Sequence, residues 1–152
     1  MAHEVFISYA TEDKRTADAV CAAVEARGFR CWMAPRDIAP GMPYGEAIVD
    51  AIQRSRVMVV VFSSHANTSV NIRKEVERAV SRGVAILPLR IEDVPPAKAL
   101  DYFLGSLHWL DALTPPLEPH LEKLATAIAK TLDQPPAKIG GVIVDPPQAK
   151  PF

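Results

Sequence analysis

A three-layer α/β sandwich around a five-stranded parallel sheet is the architecture this sequence predicts. Five short apolar, β-rich runs alternate with stretches whose apolar residues recur at helical spacing, the mark of repeated strand-helix units. One of those runs, Val57 to Phe62 (VMVVVF), is apolar throughout. Such a run suits a strand covered on both faces, which places it at the centre of the sheet.

Each element follows in order. Glu4 to Tyr9 (EVFISY) reads as the first strand, and Ala17, Val20, Cys21 and Val24 then mark a helix that Gly28 stops. Phe29 to Met33 is strand two. After the loop APRDIAPGMP a second helix carries Tyr44, Ile48, Ala51 and Ile52 on one face, and strand three is Val57 to Phe62. The third helix opens at Ser69, a good N-cap, with Ile72, Val76, Ala79 and Val80 inward, and ends at Gly83. Val84 to Leu89 is strand four. A less regular stretch through Ala97 to Leu104 leads to a fifth strand expected around Leu107 to Leu110. The last helix follows Pro115 and Pro116 and turns Leu117, Leu121, Leu124, Ala125 and Ile128 inward. From about Asp133, Pro135, Pro136, Pro146, Pro147 and Pro151 interrupt all periodicity. Residues 1–132 therefore read as one domain and 133–152 as a Pro-rich linker or tail. Its Val142 to Val144 run could pair on a sheet edge, but a flexible connection to a further domain is the plainer reading.

Seventeen basic and eighteen acidic side chains leave a net charge of −1, so no electrostatic footprint for nucleic acid or anionic lipid exists. No apolar run reaches the roughly 18 residues needed to span a bilayer, and no secretory signal precedes Val5, so a cytoplasmic location is expected. Cys21 and Cys31 lack spaced zinc partners and read as reduced, buried thiols. His3, His65, His108 and His120 are scattered without ligand spacing. Neither a metal nor a permanently bound cofactor is expected.

Parallel α/β sheets bind ligands at the carboxyl ends of their strands, which points to the loops after Tyr9, Met33 and Phe62. A phospho-accepting receiver would need acidic residues after strand one and an Asp after strand three, where Ser8, Tyr9, Ser63 and Ser64 stand. The loop ATEDKRT has neither glycine nor the lysine pattern of a phosphate-cradling loop. Only the hydroxyls of Ser8 and Thr11 would speak for a mononucleotide flavodoxin.

The segments VFISYATEDK, GFRCWMAPRDIAPGMPYGEAI, SRVMVVVFSSHANTSVNIRKEVERAV, VAILPLRIEDVPP and LHWLDALTPPLEPHLEKLA occur in this order. Together they strongly resemble the prokaryotic branch of the Toll/interleukin-1 receptor (TIR) domain family, over roughly Glu4 to Leu132. The resemblance implies a flavodoxin-like sheet of strand order 2-1-3-4-5. It also implies that the loop Ala34 to Pro43, with Pro35, Arg36, Asp37 and Gly41, is a self-association element contacting other TIR domains. The family's catalytic acidic residue falls on Glu75, and NAD is the implied substrate, cleaved to nicotinamide and a linear or cyclic ADP-ribose product.

Glu75 lies on the shoulder of the third helix's apolar face, near the helix start, where the macrodipole favours an ionised carboxylate. Nicotinamide departs from NAD as a neutral base, so one carboxylate that stabilises the oxocarbenium-like charge suffices. The structural alternative is a surface pair with Arg78. Ser8, Tyr9, Ser69 and Asn71 are candidate substrate contacts, although a helix cap alone accounts for Ser69, and Tyr9 is equally readable as a half-buried aromatic. Many catalytic members carry a tryptophan where Asn71 stands. Trp32 reads as a core residue of strand two. Arg36 and Asp37 either form a local turn or meet a neighbouring subunit. Two functions follow: an NAD glycohydrolase or cyclase carried by Glu75 and activated by self-association in bacterial defence or signalling, or a catalytically silent TIR scaffold. The presence of Glu75 favours the first and that of Asn71 the second.

Overall fold

The computed structural model describes residues 4–133. The Pro-rich segment from 134 onward and the Val142 to Val144 run lie outside the described residues. In chain order the elements are β1 (Val5–Ser8), α1 (Lys14–Ala26), β2 (Cys31–Trp32), α2 (Tyr44–Arg54), β3 (Val57–Phe62) and α3 (Ser64–Asn67), followed by α4 (Val70–Arg82), β4 (Ala85–Arg90), α5 (Lys98–Leu104), β5 (Leu110–Asp111) and α6 (Glu118–Asp133). A single 3-10 turn, Thr11–Asp13, precedes α1. The five strands pair in the order β2-β1-β3-β4-β5, all parallel, which is the flavodoxin-like order expected.

The central strand explains the three layers. Alternate side chains of a strand point to opposite faces. Val57, Val59 and Val61 therefore join Val20 and Val24 of α1 and Leu124 and Ile128 of α6 on one side. Met58, Val60 and Phe62 join Ile52 of α2, Ile72 and Val76 of α4 and Leu104 of α5 on the other. All six β3 residues are fully buried, so neither face of this strand meets water. Gly28 and Gly83, with φ of 93° and 74°, end their helices in the left-handed region, where a side chain would be strained.

The structure corrects four details. Tyr44 opens α2 and is 56% exposed, because the buried stripe of this helix runs through Ala47, Ala51 and Ile52 and leaves its first residue outside. Val80 is 46% exposed, since the inward stripe of α4 runs Ile72, Val76, Ala79 and leaves position 80 on the shoulder. Strand five begins only at Leu110: the Leu107 N–H donates to the Leu104 carbonyl at 3.1 Å and Trp109 Nε1 donates to the same oxygen at 2.9 Å, so residues 107–109 fold back onto α5. Leu117 precedes α6 and is half-buried, while Leu121, Leu124, Ala125 and Ile128 form its buried face.

Strand two pairs over only two residues, Cys31 with Val5 and Trp32 with Phe6, and side chains of the following loop bond to its backbone. Arg36 Nη2 donates to the Cys31 carbonyl at 2.9 Å, and the Met33 N–H donates to Asp37 Oδ2 at 3.0 Å. The Asp37 N–H in turn donates to the Met33 carbonyl at 3.0 Å. An edge strand needs such protection against pairing with another chain.

Candidate active site

At the carboxyl end of the sheet, Ser8 ends β1 as one of the few fully buried polar residues. Its Oγ donates to Glu75 Oε1 at 2.7 Å, joining positions 67 residues apart. The apolar stripe of α4 presses on the sheet, and Glu75, one turn on from Ile72, is carried inward on its shoulder. The residue as a whole is half-buried. Burial pushes its carboxyl up to about 7, against which the Ser8 hydroxyl pulls it part of the way down. Desolvation thus outweighs the helix dipole that was expected to keep this group ionised. Its hydrogen bond is to Ser8 and not to Arg78, which removes the surface-pair reading.

Tyr9 follows at once and donates its phenolic hydroxyl to the Ala34 carbonyl, tying the end of β1 to the loop after β2. Burial raises this phenol above its ordinary range, and the charges that act on it include Lys14, Asp18, Tyr44 and Glu75. Tyr44, exposed at the start of α2, is thus near enough to Tyr9 to bear on its phenol. Ser69 caps α4, its Oγ accepting the Ile72 N–H at 3.1 Å. Ser69→Ala is expected to cost about 1 kcal/mol, read as a shift of the urea midpoint with unchanged slope. Asn71 is exposed one turn before Glu75 on the same stripe of the helix. Ser8, Tyr9 and Glu75 are thus brought together, while Asn71 stands at the rim and Ser69 has a sufficient role as a cap.

A second tie crosses the same end of the sheet. Ser63, at the end of β3, caps α3 through the Ala66 N–H at 3.1 Å and donates its hydroxyl to the Asp13 carboxylate. The loops after β1 and β3 are held together by that bond. No sequence pattern announces it, since the two residues lie 50 positions apart.

The loop after β2 differs from what its composition suggests. The Arg36 guanidinium meets Asp37 Oδ2 at 2.7 Å and Glu25 Oε2 at 3.2 Å, so the Arg36–Asp37 pair is spent within the chain. Of the two alternatives for these charges, the structure shows the local one. The outward part of the loop is the turn Ala39 to Met42, closed by the Met42 N–H to the Ala39 carbonyl at 3.1 Å, with Gly41 at φ 83° and Pro40 exposed. Trp32 is half-buried and stacks on Phe6 at 5.3 Å, as a core residue should. A cleft of about 290 Å³ opens between β2 and α2, lined among others by Arg30, Trp32, Asp37, Asp50 and Arg54, and none of the candidate substrate residues borders it.

With the fold and the Ser8–Glu75 pair in place, comparison with known proteins settles the family. Residues 5–126 match the TIR domain family, and this chain belongs to it. Its sheet superposes on the TIR domain of the Toll-related receptor TRR-2 from the lower metazoan Hydra magnipapillata with a TM-score of 0.71, at 26% identity, covering 84% of this chain and 98% of that one. A metazoan TIR-STING receptor from C. gigas, solved with 2',3'-cGAMP, gives a TM-score of 0.64 at 27% identity over 88% of this chain and 40% of that one. The stimulator of interferon genes protein of Magallana gigas is 31% identical over 105 residues, 62% of this chain. The chain spans a quarter of the length of that relative. The TIR domains of the activated Roq1 resistosome share the fold, with a TM-score of 0.69 at 16% identity over 84% of this chain and 99% of that one.

Proposed function

We propose that this TIR domain cleaves NAD at the nicotinamide glycosidic bond, releasing nicotinamide and a linear or cyclic ADP-ribose product, with Glu75 as the catalytic residue. The observation that carries the reading is a desolvated, hydrogen-bonded carboxyl at the strand ends, where parallel sheets hold their ligands. In the cleavage step the C–N bond breaks, its electron pair leaves with nicotinamide as a neutral base, and positive charge develops on the ribose. An ionised carboxylate facing that charge in a water-poor site stabilises the transition state. Water, or a nucleophilic atom of the same molecule, then closes on the anomeric carbon. Ser8 is a positioning residue: its hydroxyl fixes one carboxylate oxygen and leaves the other for the ribose. Tyr9, next to Ser8 at the end of β1, offers aromatic surface to the substrate.

Only ionised Glu75 does this work, so kcat/KM is expected to rise about tenfold between pH 6 and pH 8, following a single group that titrates near 7. Ser8→Ala removes a donor that favours the carboxylate, and the rising limb should move to higher pH. A profile flat across this range, or a limb that Ser8→Ala leaves unmoved, would show that Glu75 does not carry the reaction.

NAD is substrate on this reading and no resident cofactor is needed. Self-association through the exposed turn at Pro40 and Gly41 completes it, since that turn belongs to the loop that the Tyr9 hydroxyl ties to the end of β1 through the Ala34 carbonyl. Specific activity should then increase with protein concentration, and Pro40→Lys should weaken assembly without unfolding the chain. Light scattering and activity across a dilution series check both. The Hydra and Magallana relatives are metazoan, so assignment to the prokaryotic branch, and with it a role in bacterial defence, rests on the five sequence segments alone. A cytoplasmic setting accords with two free cysteines, and no helix among the described residues is long and apolar enough to cross a membrane.

A further inference from the structure

We infer that Cys21, Cys31 and Glu25 form a binding site for one thiophilic divalent cation of the zinc type, on the flank of the domain beside the edge strand. One ligand atom from each, two sulfurs and a carboxylate oxygen, lies within 4.8 Å of the other two. Cys21 and Glu25 stand four residues apart on α1 and so share a face, while Cys31 opens β2 and is fixed by its pairing with Val5. Zinc bonds of about 2.3 Å to sulfur and 2.0–2.2 Å to oxygen set tetrahedral ligands roughly 3.3–3.8 Å apart, so each atom needs to move inward by less than about 1 Å. Side-chain rotation provides that.

One cationic group already sits against these ligands. The Arg36 guanidinium spans the cluster, Nη1 donating to Cys21 Sγ at 3.1 Å and to Glu25 Oε1 at 3.4 Å, and Nη2 to Glu25 Oε2 at 3.2 Å. Arg36 has a second set of partners in Asp37 and the Cys31 carbonyl, so it can yield Cys21 and Glu25 without losing its place at the strand edge. Binding converts two thiols to thiolates and releases two protons. The resulting two thiolates and one carboxylate, three negative charges, are balanced by the dication and Arg36 together. Both sulfurs are buried and Glu25 is exposed, so the carboxylate forms the entrance. A fourth position is left to water. Linear spacing hides the site, since one ligand pair follows helical periodicity and the third ligand arrives from a strand.

Cobalt(II) tests this in the untagged full chain under a non-coordinating reductant. One equivalent should produce a near-ultraviolet thiolate-to-cobalt band with tetrahedral visible bands, and zinc should abolish them by displacement. Cys21→Ser and Cys31→Ser should each remove the charge-transfer intensity of one sulfur and weaken binding at least tenfold. Because a buried serine can impair folding, the exposed Glu25→Gln serves as the second variant and should weaken binding several-fold with unchanged circular dichroism. The inference is overturned if saturating cobalt gives no thiolate band in protein whose two thiols titrate as free, or if Cys21→Ser and Glu25→Gln bind as the parent does.

Discussion

Glu75→Gln is expected to abolish nicotinamide release while making the protein more stable above neutral pH. Gln keeps the volume and an oxygen to accept from Ser8, but it carries no charge to meet the oxocarbenium-like transition state. Loss of one such preorganised electrostatic contact typically costs on the order of 10²–10³ in kcat. The stability change has the opposite sign. Glu75 titrates near 7 in the folded chain against an ordinary value of 4.5, so between those pH values the folded state holds more protons than the unfolded one. Stability therefore falls as pH rises through that window, and above pH 7 the buried carboxylate costs about 3 kcal/mol. Gln removes that slope. Urea titrations at pH 5 and pH 8 should show a wild type that weakens with pH and a variant that does not. A variant less stable than wild type at pH 8 would mean that the carboxylate is better accommodated than its burial implies.

Asp37→Lys should destabilise the fold by about 2–3 kcal/mol, a shift in thermal midpoint of roughly 5–10 °C. The Asp37 carboxylate accepts the Met33 N–H at 3.0 Å and the Arg36 Nε and Nη2 donors at 3.0 and 2.7 Å. Lysine removes the acceptor from a backbone donor beside the buried edge of the sheet and sets a like charge against Arg36. Asp37→Asn keeps an acceptor and should lose about half as much. Calorimetry on the three proteins decides. A lysine variant within about 0.5 kcal/mol of wild type would show that the edge of β2 does not depend on this pair. The same bonds make charge reversal at Asp37 a poor probe of assembly, because fold and self-association would fail together, and that is why the exposed Pro40 is the better position.

The sheet was legible where burial leaves a pattern that local sequence can express. Val57 to Phe62 is apolar at every position because two helical layers cover it, and its limits are those expected. The Ser69 cap and the Gly83 stop were equally plain, since both act on backbone a few residues away. Strand two was overextended and strand five misplaced, because their ends are decided by contacts from elsewhere: Asp37 captures the Met33 N–H, and Trp109 turns back to Leu104. Glu75 was found through the family resemblance and helical geometry. Its state was not, because the dipole acts through the helix whereas burial and the Ser8 bond come from a sheet residue 67 positions away. Arg36 and Asp37 show the same limit: composition displays two charges in a loop, and only the fold shows that Glu25, Cys31 and Met33 occupy them.

The most direct test of the central claim is nicotinamide release from NAD by the wild-type chain at high protein concentration and pH 8, followed by chromatography of the products. We predict equimolar nicotinamide and an ADP-ribose product, at a rate per chain that increases with concentration. Intact NAD after prolonged incubation with folded, self-associated protein would contradict the account and leave the domain as an interaction scaffold.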